Sequence, residues 1–216
     1  MSQLEQKQTV QAMQPKQTNP VLMAAGISWG KLTRDVTVSF VFLTALLGLV
    51  YPSVMTGVGQ SLMADKATGS ILNVGEQSAS ALIGQNFAGT RLFEGRASAV
   101  NYDAGISGGS NLSMSNPAQK TAIAERVAYW QKKTGSQAPV PLDLITASGS
   151  GLDPHISLSA ARYQAAWVAQ QNGLPLDRVL LLINQSRVDG WFQMATEPSV
   201  NVIKLNASIL NALQKR

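Results

Sequence analysis

Residues 36–64 read VTVSFVFLTALLGLVYPSVMTGVGQSLMA, and no charged residue interrupts them. A helix needs about 20 apolar residues to cross a hydrocarbon core about 30 Å thick. Residues 36–58 supply 23. A cleaved secretory signal carries an apolar region of only about 7–15 residues, so this stretch is too long for one. The expectation is a single transmembrane helix with its core at 36–58. It divides the chain into a tail (1–30), a membrane segment with a short outer extension (31–64) and a folded part (65–216).

The composition agrees with that division. Of 216 residues, 45% are hydrophobic and only 13% charged, where a soluble domain carries about a quarter charged. There is no cysteine, which excludes a disulfide framework and a cysteine-ligated metal. The net charge of +5 and pI of about 9.6 come from scattered Lys and Arg, with no basic run interleaved with aromatics. Nucleic acid is therefore not an expected partner. The first 20 residues hold six glutamines, at 3, 6, 8, 11, 14 and 17, without apolar periodicity, and read as a disordered tail.

Flanking charge sets the expected orientation. Residues 16–35 contain Lys16, Lys31 and Arg34, whereas 59–78 contain Lys66 as their one basic residue. The tail is expected in the cytoplasm and residues 65–216 outside, which in a bacterium with two membranes is the periplasm. Trp29 and Tyr51 stand where interfacial aromatics are expected, and Pro52 falls near the outer end. At α-helical spacing, Thr37, Val41, Thr44 and Gly48 share one stripe, and Phe40, Leu43, Leu47 and Val50 a bulkier one. Small residues let helix backbones approach in lipid, so the first stripe is a candidate for packing against a partner helix. The alternative is a simple anchor.

The exported part reads as α+β. SIL (70–72) and ALIG (81–84) flank the turn-prone NVGEQ and suggest a hairpin. Asn116-Pro117 caps a helix running to about Thr134, and Gly135 closes it. A second helix starts near Ser157 or Ser159 and stops at Gly173. A third begins at Pro175, VNVIKL (200–205) reads as a strand, and a short helix ends the chain.

Three sets of residues could carry chemistry. The glycine-serine loop GISGGSNLSMSN (105–116) suggests a phosphate cradle, but a P-loop needs lysine directly after its glycines. Here Ser110 and Asn111 follow Gly109, and the next lysine is Lys120. Gly108 and Gly109 are expected instead to make a tight positive-φ turn toward the Asn116 cap. His155, the one histidine, lies close to Asp153 and could belong to a hydrolase triad, although no GxSxG elbow is present. One histidine and no cysteine make a zinc site unattractive. Gln85, Asn86, Glu94 and Arg96, beside the buried-looking Phe87 and Phe93, could meet a partner or tie their own loops together.

Taken in order, several segments resemble one family. Tyr51-Pro52 with Gly59-Gln60 follows a single span. ALIGQNF (81–87), FEGRASA (93–99), SGGSNL (107–112), NP (116–117), PLDLITASGSGLDPHIS (141–157) and VNVIKLN (200–206) come after it. Each is weak alone, but the ordered set, over roughly residues 31–211, resembles the C subunit of the Kdp-type potassium-transporting ATPase of bacteria. The resemblance implies a non-catalytic accessory subunit of an inner-membrane complex that hydrolyses ATP to import potassium. The implied partners are a channel-like potassium-translocating subunit, a P-type ATPase subunit and a very small single-span subunit. It also implies a role in assembly and in raising the ATP affinity of the ATPase subunit. Ser107, Gly108 and Gly109 are where a nucleotide-signature likeness would fall. A periplasmic loop cannot touch a cytoplasmic nucleotide, so ATP is implied for the complex, and no cofactor is expected on this chain. The residues alone leave open a membrane-anchored hydrolase or binding module centred on Asp153 and His155.

Overall fold

The computed structural model describes residues 29–188 and 197–215, so the glutamine-rich tail lies outside the described residues. The chain divides into two compact units, 1–58 and 59–216.

The described part of the first unit is helical. Helix α1 (Trp29–Ala45) passes into a π turn (Leu46–Val50) and then into α2 (Tyr51–Leu62). Among the described residues, Trp29–Leu62 is the one helix long and apolar enough to cross a membrane, with mean hydropathy 2.0 and no buried residue in its most apolar stretch. It extends beyond the expected core at both ends. The π turn has a chemical reason. Pro52 has no N–H, so the Gly48 carbonyl four residues before it loses its α-helical donor, and the proline ring crowds that carbonyl. Widening the turn by one residue relieves the crowding: the Tyr51 N–H donates to Leu46 O, five residues back.

The second unit is mixed α and β. After the short helix α3 (Ala64–Ala67), β1 (Ile71–Val74) and β2 (Gln77–Ser80) form an antiparallel hairpin with Ile71 opposite Ser80. The expected hairpin exists, but its second strand is QSAS, not the more apolar ALIG. Gly75, at φ 67°, makes the tight turn; Val74 and Ala79 are buried in the core and Leu72 packs against it. A long irregular stretch leads to α4 (Pro117–Thr134), where Asn116 Oδ1 accepts from Ala118 N and Gly135 closes the helix in the left-handed conformation. Then come α5 (Leu142–Ile145), β3 (His155–Ser157), α6 (Leu158–Asn172), α7 (Leu176–Gln185), β4 (Arg187–Val188), β5 (Ser199–Asn201) and α8 (Val202–Gln214). The second sheet has the order β3-β5-β4, all antiparallel.

The helix starts expected near Ser157 and at Pro175 and the stop at Gly173 are present, with the Ser157 side chain accepting from Ala160 N. The strand expected over 200–205 is not. It ends at Asn201, whose side chain accepts from Lys204 N at 3.0 Å. That cap satisfies a free helical N–H and turns the chain into α8, burying Val202, Ile203, Leu205 and Ile209.

One core joins the hairpin, the helices and the sheet; Phe93, Ile156, Val168, Val179, Val200 and Ile209 are among its buried members. Three buried amides fasten irregular backbone to it. Asn206 on α8 accepts from Phe93 N and donates to Phe93 O, both at 2.9 Å. Gln164 on α6 does the same for Glu94, at 2.9 and 3.1 Å. Asn201 Nδ2 donates to Ala81 O at 2.8 Å. These side chains supply the pairing that a neighbouring strand would otherwise provide, which lets a segment without regular structure stay buried.

Candidate functional site

Segments far apart in sequence converge on residues 147–155. Ala97 forms a parallel bridge with Ala147, and Ser148 N donates to Ala97 O at 3.0 Å. Gly108 N donates to Ser150 O at 2.9 Å, Gly84 N to Leu152 O at 2.7 Å, and Val202 N to Pro154 O at 2.9 Å. The segments ALIGQNF, FEGRASA, SGGSNL and VNVIKLN are therefore all attached to ASGSGLDPH.

The glycine-serine loop takes its place in this arrangement by close approach. Neither Gly108 nor Gly109 has the expected positive φ; in this loop that conformation falls on Asn111, at φ 53°. Gly109 matters because a Cβ there would stand 3.0 Å from Gly149 O and 3.3 Å from Gly149 Cα. Across from it, Gly151 does adopt φ 73°, and a Cβ on it would meet Val100 and the Gly108 carbonyl at 2.5 and 2.8 Å. The Gly108 N–H, which a phosphate cradle would aim at its ligand, bonds to Ser150. Ser107 Oγ donates to the same carbonyl at 3.3 Å. Ser110 and Asn111 are exposed.

Arg96, Asp153 and His155 come together at one end of a cleft of about 580 Å³, which Asp143, Ser157 and Glu197 also line. Arg96 Nη1 lies 3.4 Å from Asp153 Oδ2, and Nη2 donates to Ala147 O at 3.4 Å. Its Nε is buried without a partner among the described residues. Asp153 Oδ1 accepts from His155 N at 3.0 Å and lies 3.4 Å from His155 Nδ1. Burial opposes ionisation of Asp153. The bonds from the His155 ring and backbone, with the charges of His155 and Arg96, outweigh it and hold the carboxyl below its ordinary range.

The far ring nitrogen of His155, Nε2, lies 3.3 Å from Asn201 Nδ2. Both ring nitrogens thus face polar partners, Nδ1 toward Asp153 and Nε2 toward Asn201. This is the orienting half of a hydrolytic triad with an amide where the nucleophile would stand. His155 itself sits in β3.

Gln85 and Asn86 lie apart from that cleft, in a polar depression with Gln77, Asn101 and Tyr102. Asn86 Oδ1 accepts from Ala88 N at 2.9 Å, and Phe87 is buried. Asn101 and Tyr102 both hold positive φ, at 53° and 59°. The Tyr102 hydroxyl, bonded to Arg96 O, is pushed up to about 12 by burial and by Glu94. On the apolar helix, Thr37, Val41, Thr44 and Gly48 are exposed, and Gly48 lies inside the π turn.

One cluster was not anticipated from sequence. Glu94 is buried and ion-paired with Lys133, and accepts from the Tyr129 hydroxyl at 2.6 Å. The Lys133 ammonium stands over the rings of Trp167, Trp130 and Tyr129, at 4.1, 5.4 and 5.7 Å. Burial, then the bond to and charge of Glu94, raise the Tyr129 hydroxyl above its usual range. The signal was the spacing of Tyr129, Trp130 and Lys133, which puts a cation beside two rings on one helix. The partners from the 94 and 167 regions carry no such signal.

One candidate membrane-spanning helix followed by an α+β unit defines a small membrane-associated protein whose sequence motifs are joined to one another by backbone bonds. The family model for KdpC, the K+-transporting ATPase c chain, matches residues 33–211, and the chain belongs to that family. A potassium-transporting ATPase KdpC subunit from Caldanaerobacter subterraneus subsp. tengcongensis is 43% identical over 188 residues, covering 86% of this chain and 97% of that protein. The corresponding subunit of Polaromonas naphthalenivorans is 46% identical over 183 residues, 82% of this chain and 93% of the relative. That of Pectobacterium atrosepticum is 45% identical over 176 residues, 79% and 92%.

Proposed function

We propose that this chain is the accessory subunit of an ATP-driven potassium-uptake complex in a bacterial inner membrane. In this reading the helix at 29–62 spans the bilayer with the tail in the cytoplasm, and residues 65–216 fold in the periplasm. The partners are the channel-like potassium-translocating subunit, the P-type ATPase subunit and the small single-span subunit. The observation that carries the reading is the family match over residues 33–211. The exposed apolar helix supports membrane attachment, and the flanking Lys31 and Arg34 support the orientation.

The subunit's work is assembly and stabilisation, with the Thr37, Val41, Thr44 and Gly48 face packing against a neighbouring helix. ATP belongs to the complex. The subunit raises ATP affinity by favouring one conformation of the ATPase subunit, since a ligand or partner shifts an equilibrium only through its differential affinity for the two states. Loop 105–116 acts here as structure and makes no nucleotide contact.

Affinity purification of the full chain from membranes in mild detergent tests the reading. The larger membrane subunits should co-purify, and protease added outside the inner membrane should digest residues 65–216 while sparing the tail. A chain that elutes alone, or a folded unit protected until the membrane is opened, overturns the corresponding part.

A further inference from the structure

A second cavity, of about 320 Å³, opens where the folded unit begins, lined by Lys66, Ser70, Leu82, His155, Asn201 and Lys204 among others. Its charge is one-sided: two lysines face it, and no carboxylate is among its described lining residues. Neither lysine is in an ion pair among the described residues, and both are exposed. Asn201 and His155, held by each other and by Ala81 O and Asp153, form a fixed polar wall. Ser70, kept at φ 51°, uncommon for a non-glycine residue, lines the same space. Two lysines outside any ion pair among the described residues, with a serine beside them, around a ligand-sized recess are the chemistry that recognises a phosphate group.

The surroundings favour a lipid as its source. Lys66 follows Leu62, the end of the apolar helix, by four residues. Four residues span at most about 14 Å even when extended, which keeps the ammonium near the headgroup layer. Leu82 in the pocket lining, and Leu62 and Met63 shortly before Lys66 in the chain, are large, apolar and exposed, as suits contact with glycerol and the first acyl carbons. We propose that the Lys66–Lys204 pocket binds the phosphate of an anionic phospholipid headgroup. Inorganic phosphate has the same chemistry without the apolar part, so the two sources are separable.

The test uses the full chain in neutral detergent, with retained lipid counted by native mass spectrometry after adding phosphatidylglycerol or phosphatidylcholine. Lys66→Gln/Lys204→Gln should weaken phosphatidylglycerol retention about 30-fold, each lysine near a lipid surface contributing about fivefold. Phosphatidylcholine retention should not change. Lys120→Gln/Lys132→Gln removes the same charge elsewhere and should leave phosphatidylglycerol retention as it was. In a parallel arm, inorganic phosphate is titrated against both double variants. Saturable, Lys66- and Lys204-dependent phosphate binding without selective phosphatidylglycerol retention overturns the lipid assignment and leaves a free-phosphate site. If the pocket variant and the control behave alike in both arms, the site is refuted.

Discussion

Asn206→Ala is the most direct probe of how the buried irregular backbone is held. The Asn206 side chain is fully buried and satisfies both the N–H and the carbonyl of Phe93. Truncation leaves two buried backbone groups without partners, at about 1–3 kcal/mol each. Together they cost about 2–6 kcal/mol, and the small void adds to that. At about 2–4 °C per kcal/mol for a unit of this size, the unfolding midpoint should fall by roughly 4–24 °C. Thermal melts of the full chain in mild detergent, followed by near-UV circular dichroism, read this directly. Asn206→Asp sharpens the test because it preserves shape. An ionised carboxylate still accepts from Phe93 N but repels Phe93 O. A protonated one can donate to it. Asn206→Asp should therefore be at least as damaging as the alanine at neutral pH and recover as the pH falls. A loss below about 1 kcal/mol for Asn206→Ala, or an Asn206→Asp deficit that ignores pH, refutes the amide fastening.

Three further outcomes follow from other sites. Gly109→Val should lower the melting temperature, because its Cβ already stands 3.0 Å from Gly149 O and the branches make the crowding worse; Ser110→Ala should leave it, and the ATP affinity of the complex, unchanged. The depressed carboxyl of Asp153 stabilises the fold above the unfolded value of about 3.9, and that stability is lost as pH falls through the lower folded value. Denaturant melts of Asp153→Asn should thus show a deficit at pH 7 that closes below about pH 4. Gly48→Leu should weaken co-purification of the larger subunits while Leu47→Ile does not, with membrane insertion of both as the control; normal assembly of Gly48→Leu would make the small-residue face incidental.

Much of this architecture is readable from the chain because it depends on local chemistry. The Asn116 and Ser157 caps, the terminating glycines at 135 and 173 and the uncharged run at 36–64 each announce an element by short-range rules. Asn201 shows where such rules run out. Its flanks alternate like a strand, and only the fold reveals that its side chain caps a helix, fastens Ala81 and meets His155. The 147–155 segment was legible as a motif but not as a junction, since its partners lie at 84, 97, 108 and 202. The positive-φ assignment failed at Gly108 and Gly109 because two different demands select glycine: backbone handedness, which acts at Gly151, and proximity, which acts at Gly109.

The π turn changes how the apolar helix must be counted. An α-helix advances about 100° per residue, and one residue accommodated in a wider turn moves every later side chain back by that amount. A wheel drawn unbroken through the sequence would continue the Thr37, Val41 and Thr44 line to Tyr51 and Met55. With the extra residue absorbed at Leu46–Val50, the line passes instead to Pro52 and Thr56. The large side chains leave that line and the small and polar ones enter it, so one narrow, hydroxyl-bearing seam runs the length of a helix whose sequence, taken at constant pitch, shows it broken halfway.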